Sequence, residues 1–201
     1  MNYRFIKYFL ALTVPFLAYF SFNGTGIITY APMIEAFLAI PLLELFFKPN
    51  SNNLNEAEEE MAKEDKSYDI VLYLLVPIIF FLLWEFLLSM RENISLFDKI
   101  GRILSMGLIC GGFGINVAHE LGHRNNKLEQ FLSKTLLLSS LYMHFFIEHN
   151  RGHHKRVSTK EDPSSARYGE NIFSFWLRSV FSGYVSAWNI EFTRLNRINK
   201  Y

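Results

Sequence analysis

All six histidines of this 201-residue chain fall between positions 119 and 154. The first two stand in His119-Glu120-Leu121-Gly122-His123. A spacing of four puts both imidazoles on one helical face, one turn apart, where they can hold one metal ion. The second group is Glu148-His149-Asn150-Arg151-Gly152-His153-His154. His149 and His153 repeat the four-residue spacing. His154 is offset, which directs it at a second ion or at another side of the first, and Gly152 lets the backbone come close. One zinc needs about three protein ligands and an open position. Five histidines (His119, His123, His149, His153, His154) exceed that need and suit a two-metal site. Imidazole favours iron, copper or zinc over magnesium or calcium. His144 lies inside an apolar run, outside either group, and reads as structural.

Neutral ligands leave the charge of the ions uncompensated. Nearby carboxylates then offset it or orient the imidazoles through their second nitrogen. Glu120, Glu148 and Asp162 are the candidates, with Glu120 and Glu148 assigned to orientation or charge compensation rather than general base catalysis. A competing reading exists for the first group alone. His-Glu-x-x-His is also a zinc metalloprotease signature in which the glutamate is the base. In a membrane chain it resembles the intramembrane metalloproteases of the site-2 type. The second histidine group disfavours that reading.

The elements that carry these residues are apolar. Half the residues are hydrophobic and 16% aromatic. The apolar residues gather in blocks at 5–22, 27–47, 70–90 and 100–118, each close to the roughly 20 helical residues that cross a bilayer. The expected fold is therefore all-α, a polytopic integral membrane protein with four transmembrane helices in this chain. The first block follows Arg4 and Lys7 but lacks the small-residue cleavage pattern of a signal peptide. Asn23-Gly-Thr-Gly26 reads as a tight turn between the first two helices. Residues 48–67 form an acidic linker. The fourth block is rich in glycine, and Gly107, Gly111, Cys110 and Gly114 are spaced for close helix packing in lipid.

Charge sets the expected orientation. Lysine plus arginine is 20 and aspartate plus glutamate 19, a net of +1, which excludes a nucleic-acid binder relying on bulk positive charge and a disordered chain. Beyond Gly122 there are twelve basic and six acidic residues. With Arg4, Lys7, Lys48, Lys63 and Lys66, this excess places the N-terminus, the linker and residues 119–201 in the cytoplasm, around an inner-membrane bundle. The apolar run 131–147 and the segment 172–188, which carries Arg178, then read as re-entrant or interfacial helices. The single cysteine, Cys110, cannot form a disulfide framework or a thiolate-ligated iron centre.

Taken together, these motifs resemble the membrane alkane 1-monooxygenases. His-Glu-Leu-Gly-His-Arg (119–124) and Glu-His-Asn-Arg-Gly-His-His (148–154) look like that family's first two histidine boxes. Val-Ser-Thr-Lys-Glu-Asp-Pro-Ser-Ser-Ala-Arg-Tyr-Gly (157–169) and Ala-Trp-Asn-Ile-Glu-Phe-Thr-Arg-Leu (187–195) are similar to it too. The resemblance implies six membrane helices in the whole protein and a cytoplasm-facing centre of two non-haem iron ions. It implies hydroxylation of the terminal methyl of n-alkanes, drawn from the bilayer, by O2. Electrons would come from rubredoxin and its reductase, and the basic residues Arg124, Lys127, Arg151, Lys155 and Arg156 could steer such an acidic donor. The iron ligands implied are His119, His123, His149, His153 and His154. Two later motifs of the family, Asn-Tyr-x-Glu-His and Leu-Gln-Arg-His-x-x-His-His, do not occur in this sequence. The chain therefore reads as the N-terminal part, with the C-terminal half missing and the fragment itself expected to be inactive. A related fatty-acid desaturase or aromatic-side-chain hydroxylase is the alternative within oxygen chemistry.

Overall fold

A computed structural model describes residues 3–47, 53 and 55–198. The side chains of Arg4 and Lys63, and all of Lys48 and Lys200, lie outside the described residues. Among the described residues there is helix and no strand. The chain divides into two compact units, one ending at Val117 and one beginning at Ala118.

The first unit is built on helices α1 (Ile6–Asn23), α2 (Gly26–Glu44), α4 (Lys66–Ser89) and α5 (Leu96–Gly122, whose last turn enters the second unit). All four are long and apolar enough to cross a membrane. The short acidic helix α3 (Glu56–Glu64) precedes α4. Only 11% of the α2 span and 39% of the α5 span is buried within the protein. Residues such as Phe37, Leu38, Phe81 and Trp84 stay outward. That apolar surface is what a lipid solvent would cover.

The turn between α1 and α2 needs its glycines. Gly26 is left-handed at φ 68°, and a side chain at Gly24 would strike Ile28 and the Phe20 carbonyl. Asp98 Oδ1 accepts the Gly26 N–H at 2.6 Å. Ser95 caps α5 by accepting the Asp98 N–H at 3.1 Å. Arg102, 1% exposed, lies one turn further into α5. Its guanidinium donates to the carbonyls of Ser89 at 2.8 Å and Gly24 at 2.9 Å and to Glu92 at 3.1 Å. One buried cation thus ties together the ends of α1, α4 and α5. The apolar core around it contains Ala18, Phe22, Ile79, Leu82 and Ile109.

The glycine packing differs from the expectation. A Cβ added at Gly107 or Gly111 meets nothing within 4 Å. The close approach is at Gly101, where a side chain would overlap Thr29 and Tyr30. The four-residue spacing alone could not locate it, because that also depends on which face of α5 meets α2.

In the second unit, Asn126 caps α6 (Lys127–Ser139) by accepting the Leu128 N–H at 2.9 Å. Asn171 caps α8 (Ile172–Arg197) by accepting the Ser174 N–H at 3.0 Å. Between them lies α7, residues 144–156. The apolar run 131–147 is not one segment. It breaks over 140–143, where Leu141 takes a left-handed φ of 54°. Ser133 Oγ donates to the Ala118 carbonyl at 2.6 Å and pins α6 to the last turn of α5. Leu121, Leu136, Leu137 and Ala187 form the core of this unit. On α8, Phe173, Trp176, Leu177, Phe181, Trp188 and Phe192 are exposed. The segment 157–171 joins α7 to α8 without regular structure.

Candidate metal centre

The last turn of α5 and the helix α7 supply the five histidines. His119 and His123 stand one turn apart with their Nε2 atoms 3.0 Å from each other. His149 Nε2 lies 3.2 Å from His123 Nε2 and 3.0 Å from His154 Nε2. Ligand atoms of His119, His123 and His149 all lie within 4.8 Å of one another. Three ring nitrogens therefore share one place, and His154 Nε2 lies beside that of His149.

Hydrogen bonding alone is a poor account of that crowd. A neutral imidazole has one N–H and one lone pair, and the Nε2 atoms of His123 and His149 each face two other ring nitrogens. A single Nε2 cannot satisfy both neighbours with one proton or one lone pair. Nitrogens about 2.1 Å from a common cation, set at right angles, lie about 3.0 Å apart. The observed spacing and the all-imidazole donor set fit a transition-metal ion.

Local helix geometry explains how His149 and His154 meet. In a regular α-helix, residues five apart stand about 140° apart around the axis. The stretch His149–His153 is instead a widened turn closed by bonds from residue i to i+5. Roughly one extra residue per turn swings His154 back beside His149. The widened turn needs Gly152, because a side chain there would collide with the Glu148 carboxylate and Arg156. Ile109–Ile115, just before His119, is a second widened turn.

His153 is held differently. Its ring lies nearly parallel to that of His149, with centroids 5.3 Å apart, and its Nδ1 is 2.9 Å from Asp162 Oδ2. A carboxylate only accepts, so Nδ1 carries the proton and Nε2 the lone pair. Asp162 is 1% exposed. Burial pushes its carboxyl up, but hydrogen bonds from Ser165 Oγ, the Ser164 N–H and His153 outweigh this and hold it below the ordinary range.

Glu120 and Glu148 point elsewhere. Glu120 pairs with Arg124 at 3.3 Å and is half-exposed. Glu148 is buried and accepts from Arg156 at 3.0 Å, with its Oε2 left without a partner. Burial raises its carboxyl, against the opposing pull of Arg156. Neither carboxylate accepts from an imidazole among the described residues. His144 stands apart from the cluster, its ring against Tyr142 and Tyr184. Burial first, and then the neighbouring imidazoles His119, His154, His123 and His153, push His149 down to about 4. Its uncharged form, the one that binds metal, is therefore favoured at neutral pH.

Residues 100–201 match the sequence profile of the fatty acid desaturase family. The chain belongs to that family. Within it, the chain is similar to alkane 1-monooxygenases. It is 34% identical over 203 residues to the enzyme of Pseudomonas putida, covering 95% of this chain and 49% of that protein. It is 36% identical over 164 residues to that of Acinetobacter baylyi, covering 81% and 40%. It is 33% identical over 176 residues to that of Ectopseudomonas oleovorans, covering 87% and 44%. The chain thus spans about half the length of the curated relatives it matches. The family match covers every histidine of the cluster.

Several basic residues expected on an open surface are engaged. Arg124 pairs with Glu120 and Glu129, Arg151 with Glu191 and Arg156 with Glu148. Lys127 and Lys155 remain exposed. Sequence reasoning also passed over a pair that shapes the 157–171 segment. Arg178 grips Glu170 at 2.6 and 2.7 Å. Hydrogen bonds from Arg178 first, then from the Arg167 N–H, hold the Glu170 carboxyl down to about 2. The available signal was a lone charged residue, Arg178, within the segment 172–188.

Proposed function

We propose that this chain is part of a di-iron membrane monooxygenase that hydroxylates the terminal methyl of n-alkanes with O2. The observation that carries the reading is the convergence of ligand atoms of His119, His123 and His149, with His154 Nε2 3.0 Å from His149 Nε2. The alkane 1-monooxygenase relatives supply the substrate class. His119, His123, His149 and His154 would hold iron through Nε2, and His153 belongs to the same ligand set. Iron supplies O2 reduction to an oxidant strong enough for an unactivated C–H bond. The protein's own part is to present neutral imidazoles, fix their rings and keep compensating carboxylates close. Asp162 fixes His153. Glu120 and Glu148 place negative charge beside the boxes, each balanced by an arginine. Four span-capable helices suit a substrate that partitions into lipid. The positive-inside rule puts the N-terminus and the histidines on the cytoplasmic side of the inner membrane. Electrons would arrive from rubredoxin and its reductase, with Lys127 and Lys155 the exposed cations available to an acidic donor.

Metal analysis of the detergent-purified chain, loaded anaerobically with iron, tests this directly. Iron bound above one ion per chain, and lost in His123→Ala and His149→Ala, is the expected result. Selective retention of zinc would favour the protease reading, and no retention of any metal would overturn the metal centre. Family membership sustains a second reading, desaturation of an acyl chain by the same centre. A longer protein that carries this chain and yields a 1-alkanol from n-octane supports hydroxylation, whereas a new double bond in a fatty acyl chain supports the second.

A further inference from the structure

The segment 157–171 has no helix or strand to hold it, yet it delivers Asp162 to His153 with a 2.9 Å contact. The contacts that shape it converge on one side chain of α8. Arg178 donates Nε–H to Glu170 Oε1 at 2.6 Å and an Nη2–H to Glu170 Oε2 at 2.7 Å. It also donates to the carbonyl of Pro163 at 3.1 Å and to that of Ser165 at 3.0 Å. Those carbonyls lie one and three residues after Asp162. Glu170 in turn accepts the Arg167 N–H at 3.0 Å. Inside the loop so closed, Asp162 accepts from the Ser164 N–H at 3.0 Å and from Ser165 Oγ. Ser165 Oγ also accepts the Ser158 N–H at 3.0 Å, at a residue with a left-handed φ of 64°.

From this chain of contacts we infer that Arg178 is a positioning residue for the metal centre: it clamps the 163–170 segment so that Asp162 holds His153 with its proton on Nδ1. The inference rests on the metal-centre reading for its consequence, but not for its geometry. The guanidinium is needed as a planar fork, since four donations run to three differently placed acceptor residues. A lysine in its place keeps the charge and loses that geometry. The effect on the metal follows from the tautomer, because a ligand ring oriented through its second nitrogen binds better.

The experiment compares the wild-type chain with Arg178→Lys, the milder Glu170→Gln, Asp162→Asn and the double variant Asp162→Asn/Arg178→Lys. Two readouts are taken: nitrogen chemical shifts of 15N-labelled histidine in the metal-free protein, and iron affinity by competition with a chelator. The wild type should show one histidine with Nδ1 protonated and a strong hydrogen-bond shift. Arg178→Lys should lose that signal while the other histidine signals persist, which also shows that the variant folds. Glu170→Gln should weaken it partially. Iron affinity should fall about 10–100-fold in Arg178→Lys and in Asp162→Asn, and no further in the double variant. An unchanged His153 signal in Arg178→Lys, or additive losses in the double variant, overturns the inference. If no variant binds iron, the metal-centre reading fails, and the nitrogen shifts still decide whether Arg178 sets the tautomer.

Discussion

His149 sits closest to the centre of the cluster, touching His123 and His154 through Nε2 and stacking on Phe145 at 4.8 Å. Its folded value of about 4 lies below the roughly 6.5 of a free imidazole. Between those values the unfolded chain binds the proton and the folded chain does not. Stability of the metal-free protein should therefore rise with pH across that window and fall as pH drops from about 6.5 through 4. His149→Gln should flatten this dependence in denaturation profiles. A His149 resonance titrating near 6.5 would contradict the packing described. At this scale the sequence was informative about which residue types gather, since histidine spacing is a local property. It was silent on which carboxylate meets which ring. Glu120 and Glu148 adjoin histidines in sequence yet pair with arginines, whereas Asp162, eight residues beyond the second box, reaches His153.

At the scale of elements, the four apolar spans were legible because some 20 residues of uniform polarity average out local noise. The break at 140–143 was not, since Leu141 is left-handed without being glycine or asparagine and no composition marks it. The widened turn His149–His153 was equally hidden, because Gly152 permits it but a glycine alone does not announce one residue more than an α-turn holds. Gly152→Ala puts a side chain against the Glu148 carboxylate and Arg156 and should drive that turn to α-helical closure, with His149 and His154 still five positions apart and then pointing away from each other. The expected outcome is a helical, folded chain that retains less than a tenth of its iron, measured by metal analysis beside circular dichroism. The glycines of α5 separate in the same way. Gly101→Ala should cost about 1–3 kcal/mol from overlap with Thr29, whose branched side chain is buried. Gly107→Ala, with nothing within 4 Å, should leave stability unchanged within about 0.5 kcal/mol. Thermal denaturation in one detergent compares the two.

At the scale of the whole chain, labour is divided between the span-bearing unit and the unit that holds all six histidines. Arg102 shows how the first is held together. Arg102→Met removes the charged donor from the carbonyls of Gly24 and Ser89, the latter keeping only the Glu92 N–H at 3.4 Å, and should lower stability by about 3 kcal/mol, read as a lower unfolding midpoint in detergent. An unchanged midpoint would mean that water satisfies those carbonyls as well as the guanidinium does. The same arginine constrains how the protein is made. A charged residue in a helix entering a bilayer alone costs about 2.5–3.5 kcal/mol at mid-depth, and less nearer the end where Arg102 stands. Its acceptors are the C-terminal ends of the first and third spans, both synthesised earlier. The fourth span thus enters lipid with a charge whose partners the earlier spans already hold, so the order in which the ribosome delivers the chain is also one in which this helix finds its contacts waiting.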